Sequence, residues 1–402
     1  MDINKSKVFC PYVFRAMDIL SDSSVVPCCR FDGRPEVDRE IVSDQNSLDK
    51  IFSSSYFDNL RKKMLAGERI NGCWKCYKED DSGVKSMRVG AKQFMEQTTE
   101  LNLEYLEIES GRFCNLKCRS CSPNVSSGFH PEIKSSKFMA NHFQLDVNDK
   151  LLDPRNQLNK SLLYITQKQS QNLKYLKITG GEPLLSEYLL EYMQKLNSWN
   201  LSKNITLEIY TNSSFFPKQK FLSVLKTFKR VYLFLSIDAI GKKSDYMRSG
   251  SEWSTMEKVA DEWYNFSVDN KNIVLDVSTT ISIYNVMYLK ELFNWTTEHL
   301  KIKWPSVNFV HDPSYMSVPS FSANIKNKIL EILKKQWNQN DMTTGESSRY
   351  KKLINFIENT HNSGQMQEFI KFTENVDKIR NEDWKVVFPE LYSLLTGYKN
   401  SI

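Results

Sequence analysis

Three cysteines in the middle of the chain are the residues best suited to do chemistry. Cys114, Cys118 and Cys121 form the run FCNLKCRSC, which has C-x3-C-x2-C spacing. Cysteine thiolates hold iron–sulfur clusters, and a four-iron cluster is closed only when four ligands are present. A cluster held by these three cysteines would therefore keep one iron open to a small molecule. A zinc knuckle is the alternative, but it lacks a nearby fourth ligand unless His130 is recruited.

The other five cysteines lie within residues 1–95. They are Cys10, Cys28, Cys29, Cys73 and Cys76. The last two form a C-x2-C pair, and two further thiolates would complete a four-ligand site for zinc or for an iron–sulfur cluster. The N-terminal sequence lacks the features of a secretory signal, which predicts a cytoplasmic protein. Because that compartment keeps thiols reduced, the eight cysteines indicate metal or redox chemistry rather than disulfides.

The elements that position these cysteines form a repeated pattern. Six segments have the apolar runs or alternation of β-strands, at residues 103–109, 173–179, 205–211, 231–237, 272–280 and 306–310. Segments with helical spacing lie between them, at residues 184–199, 218–228 and 286–300. Repeated strand–helix units predict a parallel sheet that can curl into a partial barrel. The cysteine triad follows the first strand directly, which places it at the sheet edge where such folds have their active sites.

The length of 402 residues predicts two or three domains, because single cores rarely grow beyond about 250 to 300 residues. We predict a small cysteine-rich domain at 1–98, an α/β domain at 99–318 and a helical C-terminal region at 319–402. The first contains a helix around residues 53–67. The last is strongly helical, and we interpret it as a packing cap over the sheet.

Composition limits the classes of function. With 40% hydrophobic and 25% charged residues, the chain resembles an ordinary soluble globular protein. No apolar run approaches the roughly 20 residues that a membrane-spanning helix needs. The net charge of +6 slightly favours an anionic substrate, but the basic residues are spread along the chain and mixed with acidic ones. That distribution does not favour a nucleic-acid partner.

The triad and the later run TGGEP (residues 179–183) resemble the radical S-adenosylmethionine (SAM) superfamily over residues 100–312. In that superfamily three cysteines hold a [4Fe-4S] cluster, and SAM binds the open iron through its amino and carboxylate groups. An electron from the cluster then breaks a carbon–sulfur bond, and the resulting 5′-deoxyadenosyl radical abstracts a hydrogen from substrate. The resemblance implies an α/β fold with a partial (β/α)6 barrel of the radical SAM type. One departure is Ser120, where the superfamily often has an aromatic residue that contacts adenine.

The resemblance also implies which residues bind SAM. They follow successive strands and are Gly180, Gly181, Glu182, Pro183, Thr211, Asn212, Ser236, Asp238 and Arg248. The glycines permit close approach of backbone to ligand, and the GGEP run corresponds to the site for the SAM amino group. Ser236 and Asp238 correspond to residues that hold the ribose hydroxyls and the methionine. Arg248 can pair with the SAM carboxylate, because a guanidinium forks onto a carboxylate.

The N-terminal cysteines resemble the SPASM or twitch module, which carries an auxiliary cluster. That resemblance implies a second [4Fe-4S] cluster ligated by Cys10, Cys28, Cys73 and Cys76, with Cys29 as the alternative to Cys28. Zinc remains the other metal for this site. The module stands before the barrel here, whereas it follows the barrel in the best-known members.

Three functions follow from these patterns. The first is an oxidoreductase that acts on a peptide or protein side chain, because enzymes with this module often use the second cluster to accept an electron from the product radical. The second is modification of a small metabolite such as a nucleotide or an amino sugar. A reductant such as flavodoxin or ferredoxin would serve either enzyme. The third is a non-catalytic metal-cluster protein, against which the intact triad, TGGEP run and Asp238 count.

Overall fold

The computed structural model describes residue 3 and residues 6–32, 40–81, 85–153, 157–337, 342–358 and 364–397. Within them the chain forms an α/β fold around an eight-stranded sheet. The strands are β1 (Ala16–Ile19), β2 (Val25–Val26), β3 (Tyr105–Glu109), β4 (Tyr175–Thr179), β5 (Thr206–Thr211), β6 (Arg230–Ser236), β7 (Ile273–Ile281) and β8 (Ser306–Phe309). Their order across the sheet is β2-β1-β3-β4-β5-β6-β7-β8. All neighbours pair in parallel except β1 and β2, which are antiparallel.

The six strands predicted from the sequence are β3 to β8, so the α/β fold with a parallel sheet is confirmed. The curvature of a partial barrel stays a prediction. The sheet has two more strands than predicted, β1 and β2, which belong to the N-terminal segment. The sequence does not predict them, because they are too short to show a clear alternation. Since β1 pairs with β3, the sheet extends across the domain boundary predicted at residue 98. The boundaries at 98 and 318 stay predictions.

Helices surround the sheet and form most of the C-terminal region. They are α1 (Tyr12–Arg15), α2 (Leu48–Phe52), α3 (Ser55–Leu65), α4 (Trp74–Asp81), α5 (Met87–Ala91), α6 (His130–Ser135), α7 (Lys137–Phe143), α8 (Gln167–Ser170), α9 (Glu187–Ser198), α10 (Gln219–Leu225), α11 (Gly241–Met247), α12 (Trp253–Asp269), α13 (Leu289–Leu300), α14 (Ala323–Gln336), α15 (Thr344–Glu358), α16 (Met366–Arg380), α17 (Trp384–Val387) and α18 (Pro389–Thr396). Across the described ranges, none is long and apolar enough to cross a membrane.

The two faces of the sheet differ in burial. In β4, Leu176 and Ile178 are buried, whereas Tyr175, Lys177 and Thr179 are partly exposed, and β5 alternates in the same way. The buried set packs against apolar side chains of the surrounding helices in the main core. Each fully buried leucine or isoleucine contributes about 1.5 to 3 kcal/mol, so this packing holds the sheet in place. We call the opposite face, which bears Lys177, the polar face.

Candidate active site

The cysteine triad lies in the loop after β3, at the C-terminal edge of the sheet. Cys114 is buried, and Cys118 and Cys121 are partly buried. The three lie close enough for their charges to interact. Burial raises the pKa of Cys114 and Cys121, and it raises the pKa of Cys118 to about 11. Buried thiols of this kind ionise when a metal centre stabilises the thiolates, so their surroundings suit cluster ligands.

The turn that contains Gly180 and Gly181 packs directly on the triad loop. The backbone N–H of Gly181 donates to the carbonyl of Gly111 at 2.8 Å, and that of Glu182 donates to the carbonyl of Phe113 at 2.8 Å. Gly180 has φ of +114°, a conformation that glycine adopts without strain. A Cβ atom at Gly181 would lie 2.4 Å from the carbonyl oxygen of Phe113. Both glycines are therefore required for the close contact between the two loops.

Gly181→Ala should weaken this contact. The added methyl group meets backbone rather than a flexible side chain, so the triad loop must move, and we expect a loss of about 1 to 3 kcal/mol in the free energy of unfolding. The measurements are urea unfolding and iron content after anaerobic reconstitution. Gly345→Ala is the matched control, because a Cβ there meets nothing within 4 Å. Equal unfolding midpoints for Gly181→Ala and wild type would contradict the required contact.

Glu182 connects the TGGEP turn to the end of β5. Its buried carboxylate accepts hydrogen bonds from Thr211 Oγ1 at 2.9 Å and from the backbone N–H groups of Asn212 at 2.6 Å and Leu184 at 3.1 Å. Asn212 Nδ2 in turn lies 3.6 Å from Cys114 Sγ. The structure thus brings Glu182, Thr211 and Asn212 together beside the triad. It also shows that the Thr211 hydroxyl holds Glu182 in position.

Burial raises the pKa of Glu182 from its ordinary value of 4.5 to about 7, against the opposing effect of its hydrogen bonds. Between these two values the folded protein binds a proton that the unfolded chain has lost, so stability falls as the pH rises through this window. Glu182→Gln removes the titration. As the pH rises from 5 to 8, the free energy of unfolding of the variant should increase by roughly 2 to 3 kcal/mol relative to that of wild type. Urea unfolding of iron-free protein at both pH values measures the gain, and a pH-independent difference would contradict it.

Asp238 and Arg248 form a buried ion pair near the triad. Arg248 Nη1 donates to Asp238 Oδ2 at 2.8 Å, and the backbone N–H of Thr280 donates to Asp238 Oδ1 at 2.8 Å. Arg248 is close enough to Cys118 and Cys114 to interact with their charges. Within the described residues its buried Nε has no hydrogen-bond partner. The buried guanidinium therefore has one unsatisfied donor.

Ser236 is the last residue of β6 and is partly exposed. It pairs in register with Ser278 on β7, on the polar face near the same edge of the sheet. Of the nine residues that the sequence predicts for SAM binding, eight end or directly follow the neighbouring strands β4, β5 and β6, and Arg248 follows α11. Their contacts with SAM stay a prediction.

The N-terminal cysteines separate into two groups. Cys10, Cys28, Cys73 and Cys76 lie within range of one another's charges, and burial raises the pKa of Cys10 to about 12. Cys29 instead lies within range of the charges of Glu107 on β3 and Lys177 on β4. This placement favours Cys28 over Cys29 as a ligand. Among the residues that the structure describes, no group of three or more His, Cys, Asp or Glu side chains is arranged to hold a single metal ion.

Contacts from the C-terminal region hold the triad loop, and no sequence motif indicates them. Arg119, between two cysteines of the triad, is 1% exposed and pairs with Asp377 at 2.5 Å and with Glu382. Its guanidinium carbon also lies 3.6 Å from the ring centroid of Tyr246. Asp377 belongs to α16 and Glu382 follows it. The helical region is thus more than a packing cap, since it binds the loop that carries the cysteines.

A second ion-pair cluster supports the same loop. Glu132 on α6 accepts from Arg380 Nε at 2.9 Å and pairs with Lys117 at 2.5 Å. Arg380 Nη1 also donates to Ser249 Oγ at 3.1 Å. No signal in the sequence links these residues, because the partners lie as many as 248 positions apart.

No protein-family model matches the chain. The chain is similar in sequence to the GTP 3',8-cyclase of Helicobacter pylori (strain ATCC 700392 / 26695), with 27% identity over 143 residues, which are 36% of each protein. The GTP 3',8-cyclase of strain HPAG1 is 27% identical over 116 residues, or 29% of each protein. The chain therefore spans about a third of the length of the curated relatives it matches.

Two solved structures resemble the fold. Native anSMEcpe with bound AdoMet has 17% sequence identity and a TM-score of 0.40, over 65% of this chain and 63% of that one. Streptococcus suis SuiB bound to S-adenosylmethionine has 13% identity and a TM-score of 0.35, over 73% and 60%. Similarity at this level does not establish a shared function. The match to GTP 3',8-cyclases supports the resemblance to radical SAM enzymes that the cysteine and TGGEP motifs indicate.

Proposed function

We propose that this chain is a radical SAM enzyme in which Cys114, Cys118 and Cys121 ligate a [4Fe-4S] cluster and SAM binds its open iron. One observation carries the proposal. Asn212, which is hydrogen-bonded to Glu182, lies beside Cys114. The buried Asp238–Arg248 pair lies within range of the charges of Cys114 and Cys118.

The residues around the triad fit both cofactors. The buried thiols suit ligation of a cationic centre, and the two glycines let the TGGEP backbone lie against the triad loop. The unpartnered Nε of Arg248 can donate to the SAM carboxylate, and Glu182 can accept from the SAM ammonium. When bound and reduced, a cluster held by the triad would supply the electron that cleaves SAM to a 5′-deoxyadenosyl radical. The protein binds and orients SAM and keeps water away.

The N-terminal cysteines form the proposed auxiliary site. Cys10, Cys28, Cys73 and Cys76 supply four thiolates, which would close a second [4Fe-4S] cluster and leave no iron open to substrate. Cys29, next to Cys28, lies near the polar face of the sheet. The auxiliary cluster would thus lie beside the face where substrate is held, which suits the acceptance of an electron from a product radical. Zinc is the alternative metal.

We propose a peptide or protein side chain as the substrate and the polar face of the sheet as its site. The partly exposed residues of β4 and β5 leave this face accessible, whereas the opposite face is filled by the core. A nucleotide is the second candidate, because the matched relatives are GTP 3',8-cyclases. A reductant of the flavodoxin or ferredoxin type would serve either reaction.

The proposal is tested on anaerobically reconstituted wild-type protein by iron and sulfide content, electron paramagnetic resonance with and without SAM, and product analysis under dithionite. We expect about eight irons per chain, a spectrum that changes when SAM is added, and formation of 5′-deoxyadenosine. About four irons together with bound zinc would overturn the auxiliary cluster. No spectral change and no 5′-deoxyadenosine would leave a non-catalytic metal-cluster protein and overturn the enzyme.

A further inference from the structure

A row of charged side chains crosses the polar face at one level of the sheet. Asp18 on β1 pairs in register with Glu107 on β3, Glu107 with Lys177 on β4, and Lys177 with Glu208 on β5. Side chains at paired positions of a parallel sheet point to the same face. Three carboxylates and a single ammonium group therefore lie side by side, and we call these four residues the charged row.

Lys177 compensates only part of the negative charge of the three carboxylates. Its Nζ lies 3.1 Å from Glu107 Oε1 and 4.0 Å from Glu208 Oε1. Glu208 also accepts from the hydroxyl of Tyr210 at 2.9 Å. In the described part of the chain, Asp18 Oδ1 and Glu107 Oε2 have no hydrogen-bond partner. These two residues are 1% and 3% exposed, so neither oxygen is satisfied by bulk water.

Unpaired buried carboxylate oxygens favour either a proton or a cation. Burial raises the pKa of Asp18, and the negative charges of Glu107 and Glu109 raise it further, while Lys177 lowers it. Burial opposes the charged form of Lys177, but Glu107 raises its pKa in return. A buried charge is tolerated when it is paired and hydrogen-bonded, and a second cationic donor would complete the pairing here.

The charged row is partly exposed at its Lys177–Glu208 end. The side chains of Lys177 and Glu208 are 21% and 36% exposed, and Cys29, which lies within range of the charge of Glu107, is exposed. Lys177 precedes Thr179, the last residue of β4, by two positions, which is about 7 Å along a parallel strand. A side chain whose end binds at the row can thus present its carbons at the edge where the triad lies.

From these contacts we propose that Asp18 and Glu107 bind a cationic group of the substrate, an ammonium or guanidinium group on a peptide side chain. The inference rests on the proposed function and narrows its substrate class. An anionic substrate such as a nucleoside triphosphate would place its phosphates against three carboxylates. Repulsion between these like charges disfavours such a substrate at the charged row.

Isothermal titration calorimetry of the reconstituted, SAM-bound protein under anaerobic conditions tests the inference. The probes are N-acetyl-lysine methylamide, its uncharged norleucine analogue and GTP. We expect the lysine probe to bind at least about tenfold more tightly than the norleucine probe, because it adds a charge-assisted hydrogen bond. Equal affinities for these two probes, or binding of GTP in preference to both, would overturn the inference.

Variants locate the binding to the row. Asp18→Asn and Glu107→Gln should each lower the affinity for the lysine probe about tenfold, whereas Glu191→Gln, an exposed carboxylate on α9, should not. Lys177→Met should raise the affinity, because it removes the competing ammonium. A drop in that variant would indicate a merely structural row and overturn the inference. Circular dichroism and thermal melting check the folding of each variant.

The measured probe affinities do not depend on SAM cleavage. The experiments can therefore overturn the cation subsite without overturning the radical chemistry, and the reverse. Charge-selective binding in a preparation that forms no 5′-deoxyadenosine would support the subsite and count against the radical chemistry alone. Formation of 5′-deoxyadenosine without charge-selective binding would overturn the subsite alone.

Discussion

Cys118→Ala should abolish the formation of 5′-deoxyadenosine and lower the iron content from about eight to about four per chain. Two remaining thiolates cannot hold the cluster that presents an open iron to SAM. Cys114→Ala and Cys121→Ala should behave in the same way, since all three thiols share one loop and interact with one another. The measurements are iron and sulfide content, and product analysis under dithionite with SAM.

The neighbouring cysteines Cys28 and Cys29 offer a matched pair of controls. Cys28 lies with Cys10 and Cys73, whereas Cys29 lies within range of the charge of Glu107. We therefore expect Cys28→Ala to lose about four irons and to keep SAM cleavage, and Cys29→Ala to keep about eight irons. If Cys29→Ala loses iron and Cys28→Ala does not, the ligand assignment is reversed. If Cys118→Ala still forms 5′-deoxyadenosine, the triad does not hold the SAM cluster.

The sequence predicts the strands well where burial imposes a clear pattern. Strands β3 to β8 have apolar residues on the face that packs against helices, so their alternation or apolar runs are visible along the chain. Strand β1 is buried along its whole length but has only four residues, one of them Asp18. A four-residue segment that contains an acidic residue does not show the apolar pattern that indicates a strand. In the structure, Met17 and Ile19 pack into the main core, and Asp18 joins the charged row on the polar face.

The sequence indicates which candidate residues share one edge of the sheet, but not the contacts that they make. Motif spacing brings the triad and the TGGEP turn to one edge, because both follow parallel strands. It does not show that the Thr211 hydroxyl is bound to Glu182, or that Cys28 and Cys29 diverge. These outcomes depend on tertiary packing between segments far apart in the chain, and local spacing contains no information about such pairs.

The second large effect concerns Arg119, which joins the triad loop to the C-terminal helices. Asp377→Asn should remove a buried charge partner while keeping the shape of the side chain. Asp377 accepts from Arg119, from the hydroxyl of Tyr246 at 2.7 Å and from the backbone N–H of Trp384 at 2.8 Å. Breaking a buried ion pair costs about 3 to 5 kcal/mol when a charge is left uncompensated, but Glu382 still pairs with Arg119 in this variant, so the cost should be about 1 to 3 kcal/mol. We expect a loss of that size in the free energy of unfolding.

The same variant should also lose iron from the triad site, because Arg119 stands between Cys118 and Ser120 in the ligand loop. Arg69→Met is the control. The Arg69–Asp81 pair is about half exposed on both sides, so its loss should cost less than about 1 kcal/mol and leave the iron content unchanged. Urea unfolding and iron analysis separate the two variants. If Asp377→Asn unfolds at the same urea concentration as Arg69→Met and retains all its iron, the C-terminal helices do not hold the cysteine loop. A stable Asp377→Asn protein that binds only the auxiliary cluster would instead separate the two effects, and would show that the ion pair positions the ligands more than it stabilises the fold.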